Sequence, residues 1–525
     1  MLIPGYTAAL QQIQTELSRF SHVSTFNCAL NYLQVPKGEA PISRRPWVVL
    51  FMLKHAVLQP GGGLVMQERD FGVIANKIWK LQDCLVRDND PSIILMLRSM
   101  IAQQMAYQQS FENKFRSLLL QMELLEISSE RNNLIFQKQT GVDIRDYFFL
   151  CNYFYGLLHE KSGSAVYKYN LASLYLHFAP SISNQKIILL LKLVATPFKD
   201  IPGFMERYRV LDYNSAEYFQ ESPFLYKPIF LELDGLTVYN VDLLLSGLKV
   251  IGFDKLKQSN GFYSDFGRDV ELYIHELLSS VPVQLYSVDD LAKYIPVKAG
   301  KISDFVIRDR NDVFVVESKA VVPNSLMKCA YEPALLEKIL KDSFLKGIEQ
   351  GQETADKLSR TKEFGGSRIR IFIVTLDEFF IRGGDWVVQH FGAGLVRKLE
   401  QQYGELPVPM ADISYITLRD LIDLSYWLRD KPSGELSQFI EMIEARQTVA
   451  AESRMIMAQH IDEIRGDVSG VAGIEDQADQ ATSMMESLIS ENVGYWKKRG
   501  AQGFIREFQR FQRLLAKDLS AAPWT

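Results

Sequence analysis

The 525-residue sequence predicts an α/β core in the middle of the chain, with a large all-α region before it and a helical segment after it. Three observations lead there. Residues 1–220 carry apolar side chains at three- and four-residue spacing, the mark of amphipathic helices. Residues 221–447 alternate strand-like and helix-like runs, and residues 448–525 return to a charged helical pattern. These bounds are read as three domains: 1–220, 221–447 and 448–525.

Composition narrows the class. A hydrophobic content of 47% is ample for sizeable cores at this length. Formal net charge is −5 and the isoelectric point is near 5.9, so any nucleic-acid contact must come from local basic patches. Cys28, Cys84, Cys151 and Cys329 stand far apart without a C-x-x-C pair. They argue against a zinc site or a disulfide framework and fit a reducing cytoplasm. No charged segment followed by an apolar core opens the sequence, so no secretory leader is expected. The most apolar runs, 47–58 and 187–194, are too short to span a bilayer and contain Lys54 and Lys192, so no membrane is expected either.

In the first region, helices are predicted at 8–20, 47–58, 70–86, 92–126 and 185–194, separated by breakers at 36–38, 60–63 and 90–91. The glycine run at 61–63 has no Gly-Lys-Ser/Thr after it and no strand before it, so it is a turn rather than a phosphate loop. Residues 147–175 are dense in aromatics, which read as core, although tyrosines beside Lys161 and Lys168 could also stack bases. Pro197, Pro202, Pro223 and Pro228 mark a change of texture near residue 220. A helix at 241–248, capped by Asn240, then leads toward a second helix at 266–278 that carries Glu271 and His275.

The centre of the chain is the hairpin at 302–320. Two apolar runs, 302–308 and 313–319, flank a polar turn at 309–312. If those four residues form the loop, Arg308 faces Val313, and counting back puts Asp304 opposite Glu317. Facing residues of an antiparallel pair share one side of the sheet, and Lys319, two residues on, shares it as well. Two carboxylates gathered in a partly dry place repel, and one takes up a proton unless a cation lies between them. A hard divalent ion such as Mg²⁺ accepts one or two carboxylates and completes its shell with water or phosphate. The plainer alternative is an ion-paired hairpin in which Lys319 neutralises both acids. Downstream, 325–360 is largely helical and contains Gln350, and 369–376 is an apolar strand interrupted by Arg370.

A helix with Glu271, a strand with Asp304, a strand with Glu317-Ser318-Lys319, a helix with Gln350, then a strand: this order resembles the PD-(D/E)XK, restriction-endonuclease-like nuclease superfamily over about 260–380. The motif departs in one place, since Ser303 rather than proline precedes Asp304. The resemblance implies a mixed sheet flanked by helices and hydrolysis of phosphodiesters in nucleic acid, DNA before RNA, with Mg²⁺ or Mn²⁺ as cofactor. It implies Glu271, Asp304 and Glu317 as metal ligands, with Asp304, Glu317, Lys319 and Gln350 as the catalytic set. It also implies a setting in prokaryotic antiphage defence or restriction, a phage or host protein as trigger, and pairing as a homodimer.

Further helices are expected at 385–403 and 421–429, with a strand at 413–418. Lys346, one helical turn before Gln350, is a candidate phosphate contact. His275, four residues after Glu271, is expected to be a packed, hydrogen-bonded residue, and His390 to be structural. Near the end of the chain, Phe504, Phe508, Phe511 and Leu515 form one stripe, and Arg506, Arg510, Arg513 and Lys517 another on the opposite face. With Lys497, Lys498 and Arg499 this is the most basic stretch. It would grip nucleic acid, dock a partner, or pack its apolar side on the body with its cations in water. Two rival functions stand beside the nuclease: an inactive nuclease-like binding module, and a helical sensor or scaffold.

Overall fold

A computed structural model of the chain describes residues 5–34, 45–85, 93–159, 166–210, 215–295, 302–321, 325–447, 454–465 and 475–521. The breakers at 36–38 and 90–91 and the predicted contact Lys161 lie outside these residues. The chain is mostly helical and divides into two compact units. One comprises Met1–Asp90, Gln103–Ser259 and Asp476–Thr525, the other Pro91–Ala102 and Asn260–Glu475. Among the described residues no helix is long and apolar enough to cross a membrane.

The first unit follows the predicted helices, with two corrections. The single helix expected at 92–126 is two helices, Ile93–Gln108 and Phe111–Glu126. Ser110 separates them in an extended conformation, and its hydroxyl accepts the Asn113 N–H at 3.2 Å, ending one helix by capping the next. The region is also not all-α. It holds a four-stranded sheet of β1 (Tyr167–Asn170), β2 (Ala195–Pro197), β3 (Ile229–Leu231) and β4 (Gly235–Val238) in the order β1-β4-β3-β2. β2 and β3 run parallel and the other pairs antiparallel. Strands of three or four residues are too short to show a period, and β2 and β3 are buried throughout, so they do not alternate either.

The aromatic segment lies in this core. Tyr147 and Tyr155 are buried, and the Tyr155 hydroxyl donates to the Leu245 carbonyl at 2.9 Å. Leu245 belongs to the helix Val241–Leu256, which runs a full eight residues beyond its expected end. Its Asp242 also pairs with the buried Lys114 at 2.6 Å. These contacts carry the first unit to Ser259, past the proline-rich change of texture at 220.

In the second unit, β5 (Gln284–Ser287), β6 (Phe305–Asp309), β7 (Asp312–Lys319), β8 (Arg368–Thr375) and β9 (Ile413–Thr417) form one sheet in sequence order. β5 pairs antiparallel with β6 and β6 with β7, and β7, β8 and β9 run parallel, so the sheet is mixed. The expected helix at 385–403 is two, Gly384–His390 and Ala393–Tyr403. One apolar layer, lined by Leu278, Ile307, Val316, Phe372, Leu421, Leu428 and Leu436, sits between the sheet and three helices. β8 is buried from its second residue on, and Arg370 is no exception: its guanidinium is fully buried against Asp312 at 2.9 Å and Glu444 at 2.7 Å.

The hairpin turn is tighter than expected. Asp309 pairs with Asp312 across a two-residue turn in which Arg310 adopts φ 55°, and the register is the same as with four loop residues because the ladder gains one pair. Asp309 stays in the ladder for a reason. It is fully buried, and its carboxylate takes the backbone N–H groups of Gly434 at 2.5 Å and Ser437 at 2.9 Å at the start of the helix Glu435–Gln447. A negative charge at a helix N-terminus satisfies donors that the helix leaves open.

The first part of the helix Ile93–Gln108 belongs to this second unit through Arg98. Its guanidinium is fully buried and donates to four backbone carbonyls: Phe379 at 2.7 Å, Met327 at 2.8 Å, and Lys328 and Ala330 at 3.1 Å. Removing it strands several buried acceptors, each costing about 1–3 kcal/mol. Arg98→Ala should therefore lower the unfolding free energy in urea by about 3 kcal/mol or more, whereas Arg268→Ala, at an exposed position, should stay within about 0.5 kcal/mol of wild type.

Candidate functional site

The hairpin register sets the site. Phe305 pairs with Val316, so Asp304 and Glu317 are the next facing positions, just past the last ladder pair of β6. Glu317 lies beside Ile373 on β8, and Lys319 beside Thr375, so both polar side chains share a sheet face with Ile371 and Ile373. The helix Lys346–Ser359 covers that face. It follows a single π-helical turn, Lys341–Leu345, and it lies close because Gly347 and Gly351 face the sheet. A Cβ at Gly351 would stand 2.7 Å from Ile371 Cγ2, and one at Gly347 3.2 Å from Ile373 Cγ2. This approach brings Gln350, between the two glycines, to Lys319.

The contacts are specific. The Lys319 ammonium donates to Glu317 Oε1, and to Gln350 Oε1 at 2.8 Å. Asp304 Oδ2 accepts the Ser318 N–H at 2.7 Å, which pins the strand end across the hairpin. Glu317 is 2% exposed, and its Oε2 is buried without an aligned hydrogen bond, the nearby Ser303 hydroxyl being turned to Thr354. Ser303, where the motif has proline, donates its N–H to Thr354 Oγ1 at 2.8 Å, and the two hydroxyls meet at 3.1 Å. Proline has no N–H and could not make the first of these bonds.

The electrostatics follow from crowding. Burial, then the charge of Asp304, pushes Glu317 from its ordinary 4.5 up to about 7, against the opposing pull of Lys319 and the Ser303 hydroxyl. Burial raises Asp304 too, opposed by the Ser318 N–H and Lys319. Glu271, on the helix Phe262–Ser279, is raised by burial and by Asp304 and is lowered by Lys319 and Arg268, so it lies within the field of the same cluster. The residues suit a divalent ion. One buried carboxylate oxygen has no aligned donor, and burial makes all three acids hold their protons more tightly than usual although Lys319 opposes it in each. Among the described residues no three or more His, Cys, Asp or Glu side chains are already closed into a metal-binding group.

Asp304, Glu317, Lys319, Gln350 and Glu271 are therefore brought into one neighbourhood. Lys346 is exposed one turn before Gln350. Gln352, the other glutamine of that helix, is buried and clamps the backbone of Val408 through both amide atoms, at 2.6 and 2.9 Å. His275 is a correction: it is exposed, its ring 5.9 Å from that of Phe305, and not a packed histidine. Lys497, Lys498, Arg499, Arg506 and Arg510 all lie in the first unit and are exposed. Ser303, noted in the sequence only as a departure from the motif, and Thr354, not singled out there, stand behind Glu317. A serine in place of the motif's proline was the available signal. Comparison with family models, with curated proteins and with solved structures finds no match to this chain.

Since the folded pKa of Glu317 lies above its unfolded value, its contribution to stability is full below about pH 4.5 and is lost as pH rises through about 7. Glutamine cannot ionise and removes that loss. In metal-free buffer, Glu317→Gln should gain stability relative to wild type between pH 5 and pH 8, by on the order of 2 kcal/mol. Chemical denaturation across that range measures it, and a difference that does not change with pH would contradict the burial argument.

Proposed function

We propose that the protein is a metal-dependent nuclease that hydrolyses phosphodiester bonds, DNA being favoured over RNA. The observation that carries this reading is the convergence of Asp304, Glu317, Lys319 and Gln350 at one end of a mixed sheet, with Glu271 in the same electrostatic field. Their order and placement resemble the PD-(D/E)XK arrangement, whose known members point to restriction or antiphage defence.

Asp304 and Glu317 would hold Mg²⁺ or Mn²⁺, with Glu271 reaching it through water. Such an ion supplies an activated water and offsets negative charge on the phosphate. The protein's own groups do the positioning. Lys319 has three N–H donors, of which Glu317 and Gln350 take two. The third can face an attacking water or a phosphate oxygen, and Gln350 fixes its direction. A bound cation would pull Glu317 back to its ionised form, offsetting the burial that raises it in the metal-free site.

The test is cleavage of plasmid, linear duplex, single-stranded DNA and RNA with Mg²⁺, Mn²⁺ or EDTA. Wild type should cut at least one substrate with metal and none with EDTA. Lys319→Ala and Asp304→Ala should lose on the order of 10²-fold or more in rate while remaining folded. Cutting that survives both substitutions would remove the assignment, and no cutting together with no metal binding would favour a binding module.

A further inference from the structure

The C-terminal helical segment Glu475–Ala521 breaks at Gly500, where φ is 76°. Beyond the break, the apolar stripe is already covered within the first unit. Phe504, Phe508 and Phe511 pack their rings 5.9, 5.4 and 4.9 Å from that of Tyr175, and Phe511 and Leu515 are fully buried. The opposite face is left to cations. Arg506 and Arg510 have 71% and 69% of their side chains exposed, and Arg513 and Lys517 are exposed as well. Glu507 lies 3.8 Å from each of Arg506 and Arg510, too far for a close pair.

A second group of cations lies beside the end of the helix. Asp518 pairs with Lys192 at 2.6 Å, and the Lys192 carbonyl accepts from the half-buried ammonium of Lys227. Among the described residues no carboxylate is ion-paired with Lys227. Burial, then the charges of Lys255, Arg207 and Lys192, push it down to about 7. A half-buried ammonium ringed by cations is held at a cost unless an anion joins it.

We infer that the first unit binds the phosphate backbone of a nucleic acid along Arg506, Arg510, Arg513 and Lys517, ending at Lys227. This deepens the nuclease reading, because the bound polymer would be the substrate. The spacing suits a strand: eleven residues of helix rise about 16 Å, the span of about five phosphates of one strand of a duplex. A membrane surface fits less well, because interfacial helices insert a free apolar face. Here that face is spent on Tyr175, and the exposed Ile505 and Leu514 lie two and a half turns apart, on opposite sides of the helix.

The experiment is fluorescence anisotropy of labelled duplex DNA, single-stranded DNA and RNA with the full chain in EDTA, over a range of salt. The variant Arg506→Gln/Arg510→Gln/Arg513→Gln/Lys517→Gln should raise Kd about 10- to 100-fold and lower the log–log salt slope by about three. Lys138→Gln/Arg145→Gln, a loss of two charges at exposed positions elsewhere in the unit, should bind like wild type to within about 2-fold. Equal Kd for the quadruple variant and wild type would overturn the inference, as would binding to phosphatidylserine vesicles without binding to any nucleic acid. Lys319→Ala separates the two ideas. If no protein cuts but this binding pattern holds, the nuclease reading falls and the surface stands. If wild type cuts and the quadruple variant binds unchanged, the surface falls alone.

Discussion

The facing of Asp304 and Glu317 across the end of a hairpin is the constraint from which the second unit's chemistry follows. Burial raises the proton affinity of both carboxylates, and the charge of Asp304 adds to the rise at Glu317. Lys319 lies against one oxygen of Glu317 but leaves the other without an aligned donor. The proposed metal site rests on that second oxygen.

Much of the surrounding structure holds that facing in place. Asp309 and the helix start at Gly434 fix the far end of the hairpin, so the register cannot slip without stranding a buried carboxylate. The glycines at 347 and 351 let a helix lie directly on Ile371 and Ile373, which decides where Gln350 ends up. Arg98 gathers the carbonyls of 327, 328, 330 and 379, tying the chain just after β7 to the chain just after β8. None of these residues needs to touch a substrate to matter to the site.

How much of this was legible in the sequence depended on whether the signal was local. The hairpin register was legible, because an antiparallel pair is fixed by counting from its turn, and a turn shorter by a pair leaves the facing unchanged. Lys319 and Gln350 were legible as positions in an order of elements, though not as a hydrogen-bonded pair. The sheet of the first unit was not, since three-residue buried strands carry no period, and β1 and β4 pair Asn170 with Gly235, far apart in the sequence. The exposure of His275 was missed because a helix pattern gives a face without saying what covers it. Arg98 reads in sequence as one polar residue on an apolar helix, and its four acceptors come from more than two hundred residues away.

The central claim is that Asp304 and Glu317 are held together for a divalent cation. Anomalous X-ray scattering from crystals of the protein equilibrated with Mn²⁺ tests it most directly. The expected result is a manganese peak within oxygen-ligand distance of both carboxylates, absent in Asp304→Asn crystals treated alike. Density showing both side chains in place with no manganese between them, or manganese bound only elsewhere on the chain, would contradict it.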